Sequence, residues 1–172
     1  ARHAPLITRA MPHVAHAAIR NRGTIGGSIA NNDPNADYPA AVLGLGATII
    51  TNKRRIAADD YFKGMFETAL EPGEIITKVS FPLAKKAAYQ KFKHPASGFA
   101  LVGVFVSKRS SDIRVAVTGA GASGVFRVKS FEEALKKRFS PKSICICSPG
   151  GVSKRTVAAS AGFTTSLRSR TS

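Results

Sequence analysis

Residues 19–47 read IRNRGTIGGSIANNDPNADYPAAVLGLGA, and this stretch decides how the chain is organised. Residues 18–39 are rich in Gly, Asn, Asp and Pro, a composition that predicts a loop. The motif TIGGS within it contains the adjacent glycines Gly26 and Gly27, with a hydroxyl side chain at each end. Two adjacent glycines allow positive φ and a close approach of the backbone to another group. The N–H groups of such a loop would form a concave anion site.

The charges around this loop suit a pyrophosphate. Arg20 and Arg22 raise the local positive potential, and a pyrophosphate carries about two negative charges and many acceptor oxygens. Asp37 follows in the sequence and is an acceptor suited to cofactor hydroxyls. On spacing alone, however, a Gly-Gly pair is more often a tight turn than a phosphate site.

The standard nucleotide motifs do not support a site here. No GxGxxG pattern follows a strand in this stretch, and the chain has no GxxxxGK[ST] pattern, so neither a Rossmann fingerprint nor a P-loop is indicated. The sequence GAGASG at residues 119–124 has the dinucleotide spacing, but no βαβ unit follows it. We therefore interpret GAGASG as a turn.

Helices are predicted from capping residues. One is expected over residues 38–45, with Asp37 as its N-cap and with Gly44 and Gly46 ending it. Another is expected from Asp59 through residue 65. A capping box of Ser130 and Glu133 predicts a last helix in FEEALKKRF.

Strands are predicted from apolar alternation and from turn residues between the runs. In residues 74–81, Ile75 and Val79 are expected on one face and Ile76 on the other. Strands followed by a helix are typical of a small α+β layer. In chain order, the predicted strands cover residues 47–51, 54–58, 74–81, 89–93, 101–108 and 113–118.

The charge balance of the 172 residues suggests an anionic partner. Lys and Arg number 26 against 10 Asp and Glu, a net charge of +16. Nucleic acid, a phosphate-bearing cofactor and an acidic protein surface are the classes that such a charge favours. Residues 141–172 hold basic residues and no acid, are rich in Ser and Thr, and lack an amphipathic period, so we expect this tail to be disordered.

Several site classes are disfavoured by composition. Cys145 and Cys147 are too few for an iron–sulfur cluster, which needs about four ligands, and their spacing predicts neither a zinc site nor a disulfide framework. The four histidines lack metal-binding spacing. The longest apolar run, residues 40–50, falls short of the about 20 residues of a membrane span. No export signal opens the chain, so a cytoplasmic protein is expected.

Residues 19–47 resemble the second flavin motif in the FAD-binding medium subunit of molybdenum hydroxylases. The pattern is most similar to that of the medium chains of aerobic carbon monoxide dehydrogenases. The resemblance continues through EIITKVSFP, YQKFKHPASGFALVGV and IRVAVTGAGASGVFR, and it covers roughly residues 5–140.

The resemblance implies an α+β fold, and the chain divides into three regions. Residues 1–84 would be the second lobe of an FAD-binding domain of the vanillyl-alcohol-oxidase type. Residues 85–140 would form a small α+β C-terminal domain. The resemblance stops before residues 141–172, the atypical tail that its composition predicts to be disordered. The family's first flavin motif, an Ala-Gly-Gly-x-Ser loop, belongs to an N-terminal lobe that we expect this chain to lack.

The resemblance also implies site residues, position by position. Asp37 would bond a cofactor hydroxyl, Ile76 would contact the cofactor through its backbone, and Lys93 would lie near the flavin. No metal ligand and no catalytic acid–base pair is implied. The residues expected to line the FAD pyrophosphate are Thr24, Ile25, Gly26, Gly27 and Ser28.

The implied function is electron transfer by an FAD subunit. Electrons would come from the iron–sulfur clusters of a small subunit and leave to an external acceptor, with a molybdenum large subunit completing a heterotrimer that dimerises. The charge alone also suggests a small basic nucleic-acid-binding module, which would interleave basic residues with exposed aromatics. The ten Phe fall mostly in apolar positions and Trp is absent, so we expect no nucleic-acid partner. A phosphate-binding module without redox chemistry is the third alternative.

Overall fold

The computed structural model describes Ile7 and residues 11–137, which form five α-helices, one 3₁₀ turn and nine strands. The tail at residues 141–172, with both cysteines, lies outside the described residues. The helical elements are the 3₁₀ turn Met11–His13, α1 Ala17–Arg22, α2 Ile25–Asn31, α3 Asp37–Leu45, α4 Ala58–Tyr61 and α5 Lys129–Lys137. The strands are β1 Thr48–Thr51, β2 Arg55–Ala57, β3 Phe62–Gly64, β4 Glu67–Thr68, β5 Ile76–Ser80, β6 Lys86–Lys93, β7 Ala100–Arg109, β8 Asp112–Thr118 and β9 Phe126–Arg127.

Helix α3 is the centre of the fold and is buried along almost its whole length. It ends at Gly46, which is left-handed with φ 63° and donates its N–H to the carbonyl of Leu43, as the prediction requires. Gly44 was expected to end the helix but lies inside it. A Cβ at Gly44 would be 2.6 Å from the ring of Phe105, so the missing side chain lets α3 approach strand β7.

The strands form three antiparallel sheets, in the orders β2-β1-β5, β3-β4 and β6-β7-β8-β9. The hairpin between β1 and β2 and the hairpin between β7 and β8 are confirmed, with registers Ile49↔Ile56 and Val106↔Val115. Helix α3 packs on one face of the four-stranded sheet, and α5 packs on the other through Phe131.

The predicted alternation along residues 74–81 is wrong at its start. The pairing of β1 with β5 shifts between Ile50 and Thr51, which leaves Thr77 as a β-bulge. The bulge places Ile76 against the same core as Val79, whereas Ile75 is 66% exposed. Ile76 therefore faces the interior, where its backbone lies close to α2.

Three further predictions need correction. Residues 18–39 were expected as a loop but contain α1 and α2. Helix α4 ends at Tyr61 rather than residue 65, because the next residues pair as β3 with β4. Helix α5 begins at Lys129, so Ser130 lies inside it and is not an N-cap.

The domain boundary expected between residues 84 and 85 stays a prediction. The main core takes residues from both sides of it, since Val42 of α3 and Phe105 of β7 belong to one cluster. Over the described residues, no helix is long and apolar enough to cross a membrane. The same residues hold no cluster of three His, Cys, Asp or Glu side chains that could bind a metal ion.

Candidate cofactor-binding cleft

The TIGGS motif forms the first turn of α2 and is not the positive-φ loop that was expected. Thr24 is the N-cap, and its Oγ1 accepts a hydrogen bond from the Gly27 N–H at 3.0 Å. Gly26 and Gly27 are absent from the glycines with positive φ. The threonine cap satisfies one donor of the first turn, which offsets the low helix propensity of glycine. The anion donors here are therefore those of a helix N-terminus, where the Ile25 and Gly26 N–H groups have no intrahelical acceptor.

Gly26 gives α2 its contact with strand β5. A Cβ at Gly26 would lie 3.9 Å from the Cβ of Ile76 and 4.0 Å from the Ile76 carbonyl oxygen. Gly26 and Ile76 are both expected site residues, and they are thus neighbours although they lie far apart in sequence. Gly27 makes a different contact, since a Cβ there would be 3.1 Å from the Thr24 hydroxyl oxygen.

A cleft of about 450 Å³ opens beside this first turn, and we call it the main cleft. Four of the expected site residues line it. The opposite wall is formed by α1 and the segment before it, including Met11 and Ile19. The four expected residues are Thr24, Gly27, Ser28 and Asp37, and Arg20, Arg22 and Tyr38 also line the main cleft.

The two arginines at the main cleft differ in what they bind. The Arg20 guanidinium donates to the carbonyl oxygens of Val14 at 2.7 Å and Ala15 at 3.3 Å, so it shapes the cleft wall. Arg22 has no hydrogen bond or ion pair with any described residue and remains available to an anion. With the free N–H groups of α2 and the Thr24 cap, this donor set fits the pyrophosphate of a dinucleotide.

At the main cleft, the Asp37 carboxylate accepts hydrogen bonds from two side chains. It was expected as an N-cap, but the N-cap is Ala36 and Asp37 is the first residue of α3. Its Oδ2 accepts from Lys91 Nζ at 2.8 Å, and its Oδ1 accepts from the hydroxyl of Tyr89. Lys91 Nζ also donates to the His13 carbonyl oxygen at 2.7 Å. Two side chains of strand β6 therefore hold the Asp37 carboxylate in place.

Burial is the main influence on the pKa of Asp37 and of the two tyrosines near it. Burial raises the pKa of Asp37 above its ordinary value, against the opposing effect of the hydrogen bonds from Lys91 and Tyr89. Burial, and next the charge of Asp37, raise the pKa of the Tyr89 phenol and of the Tyr38 phenol. Both phenols are accordingly protonated donors at neutral pH.

Lys93 lies outside the main cleft. It is exposed and lines a neighbouring cleft of about 250 Å³ with His13 and His16. Lys91 lines this neighbouring cleft as well, but its Nζ reaches Oδ2 of Asp37 at 2.8 Å, whereas Lys93 is exposed. Sequence reasoning missed Tyr89 and Lys91. The available signal was the spacing of two positions between Tyr89 and Lys91, which places both side chains on one face of a strand.

The loop before α3 is held by a residue that the sequence did not single out. The Thr118 hydroxyl lies 2.8 Å from the Pro34 carbonyl oxygen and 2.9 Å from that of Ala36. The next residue, Gly119, donates its N–H to Pro34 at 2.8 Å and has φ 80°. A Cβ there would be 2.7 Å from the Ala100 carbonyl oxygen, so GAGASG is a packed turn, as predicted.

Comparison with known proteins adds family relationships to this geometry. A family model described as the FAD binding domain in molybdopterin dehydrogenase matches residues 1–84. The chain is 37% identical over 145 residues to the nicotine 6-hydroxylase medium subunit of Paenarthrobacter nicotinovorans, which covers 78% of this chain and 51% of that protein. It is 30% identical over 165 residues to the carbon monoxide dehydrogenase medium chain of Hydrogenophaga pseudoflava, which covers 84% of this chain and 58% of that protein.

Solved structures show the same relationship. Carbon monoxide dehydrogenase from Hydrogenophaga pseudoflava superposes with a TM-score of 0.70 and 29% identity, covering 92% of this chain and 63% of that one. Quinoline 2-oxidoreductase from Pseudomonas putida 86 has the same fold, with a TM-score of 0.76, 23% identity and coverage of 96% and 66%. The chain spans about half the length of the curated relatives it matches. Residues 1–84 belong to the FAD-binding domain family of the molybdopterin dehydrogenases.

Proposed function

We propose that this chain is the FAD-binding part of a medium subunit that transfers electrons in a molybdenum-containing hydroxylase or dehydrogenase. The observation that carries the proposal is the main cleft. There the Thr24-capped first turn of α2, the Asp37 carboxylate and Arg22, which pairs with no described residue, line the same cleft. Donors for a pyrophosphate and an acceptor for a hydroxyl in one cleft are what a flavin dinucleotide requires.

The proposed contacts follow from this arrangement. The first turn of α2 holds the pyrophosphate through its N–H groups, and Asp37 accepts from a cofactor hydroxyl. Ile76 supplies a backbone contact beside Gly26, and the expectation that Lys93 lies near the flavin stays a prediction. Bound FAD supplies the redox chemistry, and the chain binds it, orients it and limits its contact with water. The residues proposed for the pyrophosphate are Thr24, Ile25, Gly26, Gly27 and Ser28.

The proposed partners are an iron–sulfur small subunit and a molybdenum large subunit in a dimerised heterotrimer. The relatives are named as a medium subunit and a medium chain, which supports a multi-subunit assembly. The chain has too few cysteines to hold a cluster itself, so clusters would belong to another chain. A net charge of +16 suits an anionic cofactor and acidic partner surfaces. The cytoplasmic location stays a prediction.

Gly27→Val in the complete medium subunit tests the proposal. A Cβ at Gly27 would lie 3.1 Å from the Thr24 Oγ1, and the branched side chain would enter the main cleft. We expect the variant to lose its flavin absorbance while it keeps its fold by circular dichroism. Ala30→Val is the matched control, because Ala30 is an exposed residue of the same helix that does not line the cleft. Equal flavin content in Gly27→Val and the parent would refute the assignment.

A further inference from the structure

The Asp37 carboxylate is held by two side chains that stand behind the main cleft. Tyr89 and Lys91 belong to strand β6 and do not line the main cleft, whereas Asp37 does. Lys91 instead lines the neighbouring cleft, so the Asp37–Lys91 ion pair is part of the wall between the two. Each carboxylate oxygen already accepts one hydrogen bond and has a second acceptor site. A cofactor hydroxyl can therefore bond Asp37 without displacing either donor.

The position of the Tyr89 hydroxyl is determined by packing on three sides. Its ring lies against Phe105 with centroids 6.1 Å apart, and the edge contact with His13 has centroids 5.9 Å apart. Gly103 on β7 lies under the hydroxyl, and a Cβ there would collide with the Tyr89 oxygen. The absence of a side chain at Gly103 therefore creates the space through which the phenol reaches Asp37.

The charged and titratable groups around Asp37 come from three elements. Tyr38 lies on its own helix, Tyr89 and Lys91 come from β6, and His13 comes from the 3₁₀ turn. Lys91 supplies the one buried cation among them, and its second bond goes to the His13 carbonyl oxygen. The Tyr89 hydroxyl is thus the neutral donor that complements Lys91 and restricts the carboxylate to one orientation.

We propose that Tyr89 is a positioning residue for the cofactor: its hydroxyl orients the Asp37 carboxylate so that an acceptor site faces the main cleft. The inference rests on the proposed function, in which Asp37 accepts from a hydroxyl of FAD. Tyr89 itself touches no cofactor atom. Its effect on flavin affinity passes entirely through Asp37.

The test uses Tyr89→Phe in the complete medium subunit, with FAD titrated into the apo form at several pH values. Loss of one orienting hydrogen bond to a charged group is expected to weaken FAD binding about tenfold at pH 7. The lost donor favoured the carboxylate form of Asp37, so the variant should protonate Asp37 more readily as the pH is lowered. The acid limit, which is the pH below which FAD no longer binds, should therefore be higher in the variant than in the parent. A purely structural role would not move this acid limit.

Tyr61→Phe is the matched control. Tyr61 is a fully buried tyrosine, and its hydroxyl lies 3.4 Å from the Ile29 carbonyl oxygen within the core. Its removal is expected to leave both the FAD affinity and the acid limit unchanged. Tyr89→Phe keeps the ring and its contacts, so the apo form is expected to remain folded, and a variant that does not fold would contradict a positioning role.

Asp37→Asn separates this inference from the proposed function. Weak FAD binding by Asp37→Asn with parental binding by Tyr89→Phe would overturn the role of Tyr89 and leave the cofactor role of Asp37 standing. Parental binding by Asp37→Asn would instead overturn the role of Asp37 in the proposed function. We expect Asp37→Asn and Tyr89→Phe both to weaken FAD binding. Of the two tyrosine variants, we expect only Tyr89→Phe to shift the acid limit.

Discussion

The Nζ of Lys91 lies 2.8 Å from Oδ2 of Asp37, and the two side chains are only 2% and 4% exposed. The pair joins strand β6 to the first turn of α3, and the second bond from Lys91 joins it to the 3₁₀ turn. A single ammonium group thus connects three elements around the main cleft. Removal of either partner would leave a buried charge without compensation.

Lys91→Met is therefore expected to lower the free energy of unfolding by about 3–5 kcal/mol, measured by denaturant titration of the apo subunit. Arg109→Met provides the contrast, because the Arg109–Asp112 pair is exposed on both sides and spans 4.0 Å. Exposed pairs contribute about 0–1 kcal/mol. Similar losses in the two variants would show that the Asp37–Lys91 pair is not buried as described.

Two glycine-to-alanine substitutions in helices should have opposite effects on stability. At Gly44 the added methyl would lie 2.6 Å from the Phe105 ring, and overpacking of this kind costs about 1–3 kcal/mol. At Gly26 the nearest atom would be at 3.9 Å, an ordinary contact, so the helix propensity of alanine should add about 0.5–1 kcal/mol. Thermal unfolding of the apo form shows whether each substitution raises or lowers the stability. Stabilisation by Gly44→Ala would contradict the packing of α3 on β7.

The Thr24 cap should matter to the fold as well as to the cofactor. Thr24→Ala removes the acceptor of the Gly27 N–H and should cost about 0.5–2 kcal/mol, whereas Thr24→Ser keeps an equivalent oxygen and should be close to the parent. Equilibrium unfolding in urea measures the difference. Identical stability of the alanine and serine variants would mean that the cap does not hold the first turn of α2.

Acid should weaken the fold through Glu74. Its carboxylate accepts from Arg54 Nε at 3.0 Å and from the Thr51 hydroxyl at 2.7 Å, and the hydrogen bond from Arg54 is the main reason that its pKa falls from 4.5 to about 2. A pKa lowered by folding adds stability that is present above pH 4.5 and is lost as the pH falls from 4.5 towards about 2.

The corresponding experiment compares unfolding midpoints over this pH range. Glu74→Gln should flatten the acid limb, because the titrating group is gone. Glu133→Gln, which changes an exposed residue of α5, should keep the parental slope. An unchanged slope in Glu74→Gln would place the acid sensitivity elsewhere, for example at Asp59. At Asp59, burial raises the pKa, but Arg114 and Arg127 lower it by more.

The local sequence by itself determined the helix that became α3 and the strands β5 to β8. Each of these follows from an apolar period or from a residue with a special backbone. Gly46 ends α3 because only its left-handed conformation allows the final hydrogen bond there. Ser110 and the next residue form the turn between β7 and β8, as expected.

Only the tertiary structure decided which conformation the TIGGS motif adopts. Glycine-rich composition favoured a loop at residues 18–39, but the Thr24 cap and the contact of Gly26 with Ile76 stabilise a helix there. Two lysines two positions apart on β6 are equivalent in sequence. Only the fold brings the Lys91 ammonium beside the buried Asp37, where a carboxylate inside the protein requires a cation within reach.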